Sequence, residues 1–267
     1  MLQKTSLFTA IVGFAIAALI TWAKYPALHE LEFQALFWDP LQVSAKPPND
    51  TLHQYQVHVL SREPYVVYIT NFLSQAEISY ILSLGEPLFA PSLVKTGSED
   101  VSTRSSTSAF LPTNDKITSN IQARAASFLG SSPYSDIAPL QLVRYGPTQH
   151  FTYHTDWSPE PRRSKSGSLY QVYSSFFVFL QAECEGGETH FPYFETQGWG
   201  LEEGLVAKTE AIRGLGTAFR PTVGNAVFWF NLHTNGTGDD RTLHAGLPVQ
   251  QGIKTGMNIW SRVLWEE

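Results

Sequence analysis

From residue 139 onward the chain is a succession of short apolar runs. LQLVRY, HFTYH, YQVYSSFFVFLQ, ETHFP, AVFWFNL, TLHAGLPV and MNIWSRVLW follow one another between Leu140 and Trp265, with Gly, Pro, Asn and Asp clusters between them. Runs of this kind, rich in β-branched and aromatic residues, fit strands better than helices. Many short strands closed by turns make a sandwich or a barrel. The composition leans the same way, with 13% aromatic and only 16% charged residues beside 19 Gly and 16 Pro. Helices are confined to the N-terminal side. Ser74 is an N-cap for SQAEISYILSLG, with apolar spacing through Ile78, Ile81 and Leu82 and a glycine stop expected at Gly85. Lys116–Gly130 reads as a second helix on the same grounds. A mainly β protein with flanking helices (α+β) is therefore expected.

The first residues belong to something else. Thr5–Ala23 carries no charge over 19 residues and lies between Lys4 and Lys24, about the length that spans a bilayer core as a helix. Trp22 and Lys24 resemble an interfacial end, which favours a retained anchor over a cleaved signal peptide. The expected organisation is a transmembrane signal anchor over 1–24, a turn-rich stalk over 25–60 containing SAKPPNDT, and one catalytic domain over 61–267. Such an anchor places the bulk of the chain in the lumen of the endoplasmic reticulum. The sequons at Asn49 and Asn235 agree with that side of the membrane as glycosylation sites. A net charge of −6 gives no basic footprint, so no nucleic-acid partner is expected. Cys184 is the only cysteine, which excludes a disulfide framework and a thiolate zinc site.

The chemistry starts at YHTDW. On a strand, alternate side chains share a face, so His154 and Asp156 can address one metal ion. Two ligands hold it poorly, and His244 in TLHAGLPV is a candidate third. Two histidines and one carboxylate form a facial triad that leaves open positions on Fe(II) for a co-substrate and O2. Zinc hydrolases use a similar set, so the triad alone does not name the metal. Ten residues past His244 stands Lys254, a cation able to pair with the far carboxylate of a chelating diacid such as 2-oxoglutarate. The polar segment Ser158–Ser168, SPEPRRSKSGS, follows the H-x-D directly and reads either as a solvated surface loop or as a mobile lid.

These motifs together resemble the prolyl 4-hydroxylase family of Fe(II)/2-oxoglutarate dioxygenases. The resemblance covers roughly residues 64–265. It rests on QLVRYGPTQHFTYHTD, GGETHFP, LHAGLPV and the lysine that follows, with RSSTSAFL and NFLSQAEI upstream. It implies a double-stranded β-helix (jelly-roll) core with N-terminal helices packed on one sheet. It also implies His154, Asp156 and His244 as iron ligands and Lys254 as the residue binding the distal carboxylate of 2-oxoglutarate. Tyr145 would assist that lysine, and Thr189 and Trp260 would line the same pocket. Fe(II), 2-oxoglutarate, O2 and ascorbate are the implied cofactors, and a proline-containing peptide or protein is the implied substrate. The chain departs from the family pattern at Thr148, where glycine is common, at Phe151, where tyrosine is common, and at Leu247, where cysteine is usual. It also lacks the usual tryptophan beside the lysine. Hydroxylation of lysine or of a small metabolite, and a membrane-tethered peptide-binding pseudo-enzyme, remain alternatives.

Overall fold

The computed structural model describes residues 53–93, 102–130, 136–164, 167–196, 201, 204–207 and 216–265. The expected anchor at Thr5–Ala23, the sequon at Asn49 and most of the expected stalk lie outside the described residues. No helix among the described residues is long and apolar enough to cross a membrane.

The chain runs β1 (Gln56–Arg62), β2 (Tyr65–Thr70), α1 (Gln75–Gly85), β3 (Ala90–Pro91), β4 (Thr107–Phe110) and α2 (Lys116–Leu129). It continues through β5 (Asp136–Ile137), β6 (Gln141–Tyr145), β7 (Phe151–His154), β8 (Arg162–Arg163), β9 (Leu169–Gly186) and β10 (Thr189–Phe191). It ends with β11 (Thr217–Phe219), β12 (Ala226–Phe230), β13 (His244–Gly246) and β14 (Val249–Trp265). The strands form two antiparallel sheets. The larger has the order β1-β2-β12-β9-β14-β6-β4-β3, with β5 on β14 and β8 on β9, and the smaller has the order β11-β10-β13-β7. This is the jelly-roll arrangement expected from the motifs.

The large sheet is buried on both faces, and its sequence follows from that. One face of β2, β9, β12 and β14 presents Val67, Ile69, Phe176, Val178, Phe228, Met257 and Ile259 to Ile78 and Ile81 of α1 and Ile117 and Ile121 of α2. The other face presents Val66, Tyr68, Phe177, Phe179, Val227 and Trp229 to Phe191 and Phe219 of the small sheet. A strand covered on both sides loses its apolar-polar alternation and reads as a continuous run such as FFVFL. The helices are joined to each other as well as to the sheet. Ser74 and Glu77 form a capping box at the start of α1. The Glu77 carboxylate also takes the Arg124 guanidinium of α2 at 2.6 Å.

Two local expectations need correction, and a third holds for a different physical reason. β1 begins at Gln56, so the sheet reaches into the range assigned to the stalk, held there by pairing with β2 from Gln56 opposite Thr70. α1 ends at Gly85 as expected, but in right-handed backbone (φ −82°) that leads into a short 3-10 turn at Glu86–Leu88. A side chain at Gly85 would collide with Leu142 Cδ1, so this glycine serves close packing of helix on sheet. The segment after Asp156 is not free of structure. Arg162 and Arg163 form β8 on the edge of β9, opposite Tyr170 and Leu169.

Candidate functional site

The small sheet brings the two histidines together by register. His244 of β13 is the direct cross-strand partner of His154 of β7, and their rings lie 4.3 Å apart between centroids. β7 ends at His154, and Asp156 occupies the bend that follows. Its carboxylate returns to the histidines, so one ligand atom from each of His154, Asp156 and His244 lies within 4.8 Å of the others.

Each group is held in place by its other polar atom. His154 Nδ1 meets the Thr152 carbonyl at 2.8 Å and His244 Nδ1 meets the Thr242 carbonyl at 2.9 Å. Bonds of this kind leave both Nε2 atoms for the shared point. Asp156 Oδ2 accepts from Ser175 Oγ at 2.6 Å and from Trp260 Nε1 at 3.0 Å. Oδ1 faces His154 Nε2 at 3.9 Å. Burial pushes the Asp156 carboxyl up, but His244, His154 and the bonds from Ser175 and Trp260 outweigh it and hold the group below the usual carboxylate range. The support continues inward. Asn231 Nδ2 donates to Ser175 Oγ at 2.9 Å, and Trp229 Nε1 donates to Asn231 Oδ1 at 2.8 Å. Apolar rings close the walls, with Phe151 stacked on His154 at 3.7 Å and Phe191 stacked on His244 at 5.4 Å.

Lys254 lies in the same pocket, lined also by Tyr145, Phe177, Thr189, Asn258 and Trp260. It sits within β14, with Tyr145 of β6 and Ala182 of β9 on either side. It is 1% exposed. Its Nζ donates to Thr189 Oγ1 at 3.4 Å and otherwise looks at the rings of Phe177 and Tyr145, at 4.9 and 5.4 Å from their centroids. Burial draws its pKa down to about 8, against a weak upward pull from Cys184 and Glu188. A buried ammonium with so little compensation is costly unless an anion completes it. Gly187 of the GGET motif, with φ +72°, allows this packing, since a side chain there would press on Lys254 Cδ at 3.3 Å.

Tyr145, Thr189 and Trp260 also line this pocket. The Tyr145 ring centroid lies 5.4 Å from the Lys254 ammonium, and the Tyr145 hydroxyl bonds with Ser106. Burial holds this phenol above its ordinary range despite Arg104 and Ser106. Trp260 lines the pocket and also grips Asp156. Of the other histidines, His150 precedes β7 and its ring lies against the carbonyls of Thr148 and Ser102. His190 lies against the Tyr153 hydroxyl at 2.6 Å and His233 beside Asp239 at 3.7 Å. Thr148 has φ +67°, which explains why glycine suits that position. The sequence alone gives no role to Ser175, Asn231 or Trp229, and it marks Arg104 only as the first residue of RSSTSAFL. Arg104 is buried, donates to Ser106 Oγ at 3.0 Å and lies 4.7 Å over the Phe151 ring.

Two imidazoles and a carboxylate around one point, open on the side of a buried cation, are a donor set suited to Fe(II) with a bidentate co-substrate. A zinc hydrolase has no use for the buried lysine. The comparisons with known proteins point the same way. The family model described as the 2OG-Fe(II) oxygenase superfamily matches residues 140–262. Prolyl 4-hydroxylase subunit alpha-3 of Bos taurus is 33% identical over 229 residues, which are 81% of this chain and 37% of that protein. This chain therefore spans little more than a third of the animal subunit. Probable prolyl 4-hydroxylase 3 of Arabidopsis thaliana is 32% identical over 214 residues, covering 77% of this chain and 71% of that protein. Among solved structures, the 2OG complex of a viral collagen prolyl hydroxylase from Paramecium bursaria Chlorella virus 1 superposes with a TM-score of 0.53. It is 24% identical and covers 74% of this chain and 95% of that one. At that identity it speaks for the fold.

Proposed function

The chain belongs to the prolyl 4-hydroxylase family of 2-oxoglutarate- and Fe(II)-dependent oxygenases, and on that premise we propose that it hydroxylates a C–H bond of peptidyl proline. The observation that carries the reading is Lys254, a fully buried cation facing the same small pocket as the His154, Asp156 and His244 cluster. In this reading the cluster holds Fe(II) and Lys254 with Thr189 receives the distal carboxylate of 2-oxoglutarate. When bound, the iron supplies O2 activation coupled to decarboxylation of 2-oxoglutarate, with ascorbate as the reductant that keeps it Fe(II). The protein supplies the rest. The Thr152 and Thr242 carbonyls fix the imidazoles, Ser175 and Trp260 fix one carboxylate oxygen and free the other, and the surrounding rings exclude water. Incubating the protein with Fe(II), 2-oxoglutarate, ascorbate and proline-containing peptides is expected to add 16 daltons to the peptide at proline. Co-substrate consumption with no peptide product, across a library that also contains lysine targets, would overturn the substrate.

The carboxylate support has its own expected result. Ser175→Ala and Asn231→Ala leave all three ligands in place but loosen Asp156. Loss of such an outer partner typically weakens metal affinity by about 10–100-fold. Competition with a chelator would measure it, and Ser175→Thr, which keeps the hydroxyl, is expected to recover part of the loss.

The reading extends to location. The uncharged Thr5–Ala23 run supports a single-pass anchor in the endoplasmic reticulum membrane with the catalytic domain lumenal. Asn235 is exposed at a turn whose Thr237 hydroxyl and amide both reach the Asn235 side chain, at 2.7 and 3.0 Å, which suits a glycan acceptor. The full chain is then expected to resist alkaline carbonate extraction and to lose mass on endoglycosidase treatment, at Asn49, Asn235 or both. Release into the soluble fraction without glycan would reject this placement.

A further inference from the structure

Outside the ligand cluster the pocket opens into a cleft of about 870 Å³. Its lining is lopsided in charge. Among the described residues, Arg104, Arg162, Arg163 and Arg262 border it, and Asp156, itself part of the cluster, is the single carboxylate. The whole chain carries a formal charge of −6, so this concentration of cations is local. It is also built. Arg162 is tied to the end of the ligand bend, donating from Nε to Ser158 Oγ at 2.7 Å and from a terminal nitrogen to the Asp156 carbonyl at 3.2 Å. β8 sets Arg162 opposite Tyr170, and the Tyr170 ring carries the Arg262 guanidinium at 5.2 Å. Asp136 accepts from Arg262 Nε at 2.7 Å, and the other donors of that guanidinium have no partner among the described residues. Glu160 of the same loop is exposed and does not border the cleft. Phe110, 58% exposed, and Val172 supply an apolar stretch of wall beside these cations.

We infer that the cleft selects extended peptides carrying an Asp or Glu within about three residues of the hydroxylated position, through Arg262, Arg162 and Arg163. This deepens the function proposed above and rests on it. The spacing follows from β14. Trp260 reaches Asp156, and Arg262 lies two residues further along the same strand, bordering the cleft. Two residues of strand cover about 7 Å, and a peptide running beside it in extended form covers the same span with two of its own residues. The apolar wall takes the target ring, and the arginines take the acid as charge-assisted hydrogen bonds.

The test uses nine-residue peptides with one proline in an alanine–serine background, carrying Asp or Lys two and three residues to either side. Fluorescence anisotropy of labelled peptides on the protein loaded with 2-oxoglutarate reads binding without turnover. Acid-flanked peptides are expected to bind at least tenfold more tightly than Lys-flanked ones at low ionic strength, with the gap shrinking as salt rises. Arg262→Glu is expected to reverse the order. Arg163→Glu, at an exposed position that does not touch the fold's core, is expected to reduce the preference and serves if the first variant does not fold. Equal binding of the two peptide sets, or a preference indifferent to both substitutions, would overturn the inference. Turnover of the same peptides is scored separately. Equal binding of the two sets with hydroxylation of all of them sinks the acidic preference alone. Acid-dependent binding with no hydroxylated proline leaves the preference standing and sinks the proline reading.

Discussion

His154→Ala, Asp156→Ala and His244→Ala are each expected to abolish peptide hydroxylation, by roughly a thousandfold or more, because the three groups act as a unit. The geometry makes the effect specific. Each side chain contributes one atom to a point within 4.8 Å of the other two, and nothing else among the described residues joins that group. His150→Ala and His233→Ala are the matched controls. The His150 ring lies against two backbone carbonyls and His233 lies beside Asp239, and neither belongs to the cluster. Both variants are expected to keep most of the activity. Loss of fold is the obvious confounder for Asp156, since its removal strands the donors of Ser175 and Trp260. Asp156→Asn keeps an acceptor for both, so it is expected to hold the thermal midpoint near wild type while still losing activity and iron stoichiometry. Full activity in His244→Ala would remove the metal assignment.

Only the His154–Asp156 half of the cluster has a local spacing; His244 joins it through the register of β13 on β7 and was legible through the family resemblance. H-x-D after a strand is a short-range pattern, and His244 and Lys254 stand in one short segment of β13 and β14. What supports the cluster was not legible, for a physical reason. Ser175 and Trp260 are cross-strand partners of β9 and β14, and both donate to one oxygen of Asp156. That meeting depends on a register between distant segments, which no spacing records. The same holds for Asn231 and Trp229 behind Ser175. Fold class survived because the turn residues punctuate the strands. The lengths of β9 and β14 did not, since burial on both faces erases the alternation that marks where a strand is exposed. The end of α1 was legible but its cause was not, because a glycine chosen for close approach to Leu142 has the same letter as one chosen for a left-handed turn.

Lys254→Met is expected to separate function from stability in opposite directions. Losing one partner of a buried charge pair costs about 3–5 kcal/mol, so 2-oxoglutarate affinity should fall by on the order of hundreds-fold or more, with iron binding nearly intact. The protein without co-substrate should become more stable. In that state the ammonium is buried with one long hydrogen bond to Thr189, and burial has drawn its pKa from 10.5 to about 8. A depression of that size corresponds to a charged form disfavoured by about 3 kcal/mol in the folded chain, an order of magnitude for what the methionine relieves at neutral pH. The sign of the pH dependence follows. Between about pH 8 and 10.5 the unfolded lysine holds a proton that the folded one has released, so this group makes wild-type stability rise with pH across that window. The difference in stability between Lys254→Met and wild type should therefore shrink there. Binding runs the other way, because only the ammonium attracts a carboxylate, and wild-type affinity for 2-oxoglutarate should weaken as pH rises above about 8. Thermal unfolding with and without 2-oxoglutarate reads both effects at once. Wild type should gain a large shift from the co-substrate, and Lys254→Met should start higher and gain almost none. A variant that starts lower and still responds to 2-oxoglutarate would mean that Lys254 serves packing, and that the diacid is held elsewhere.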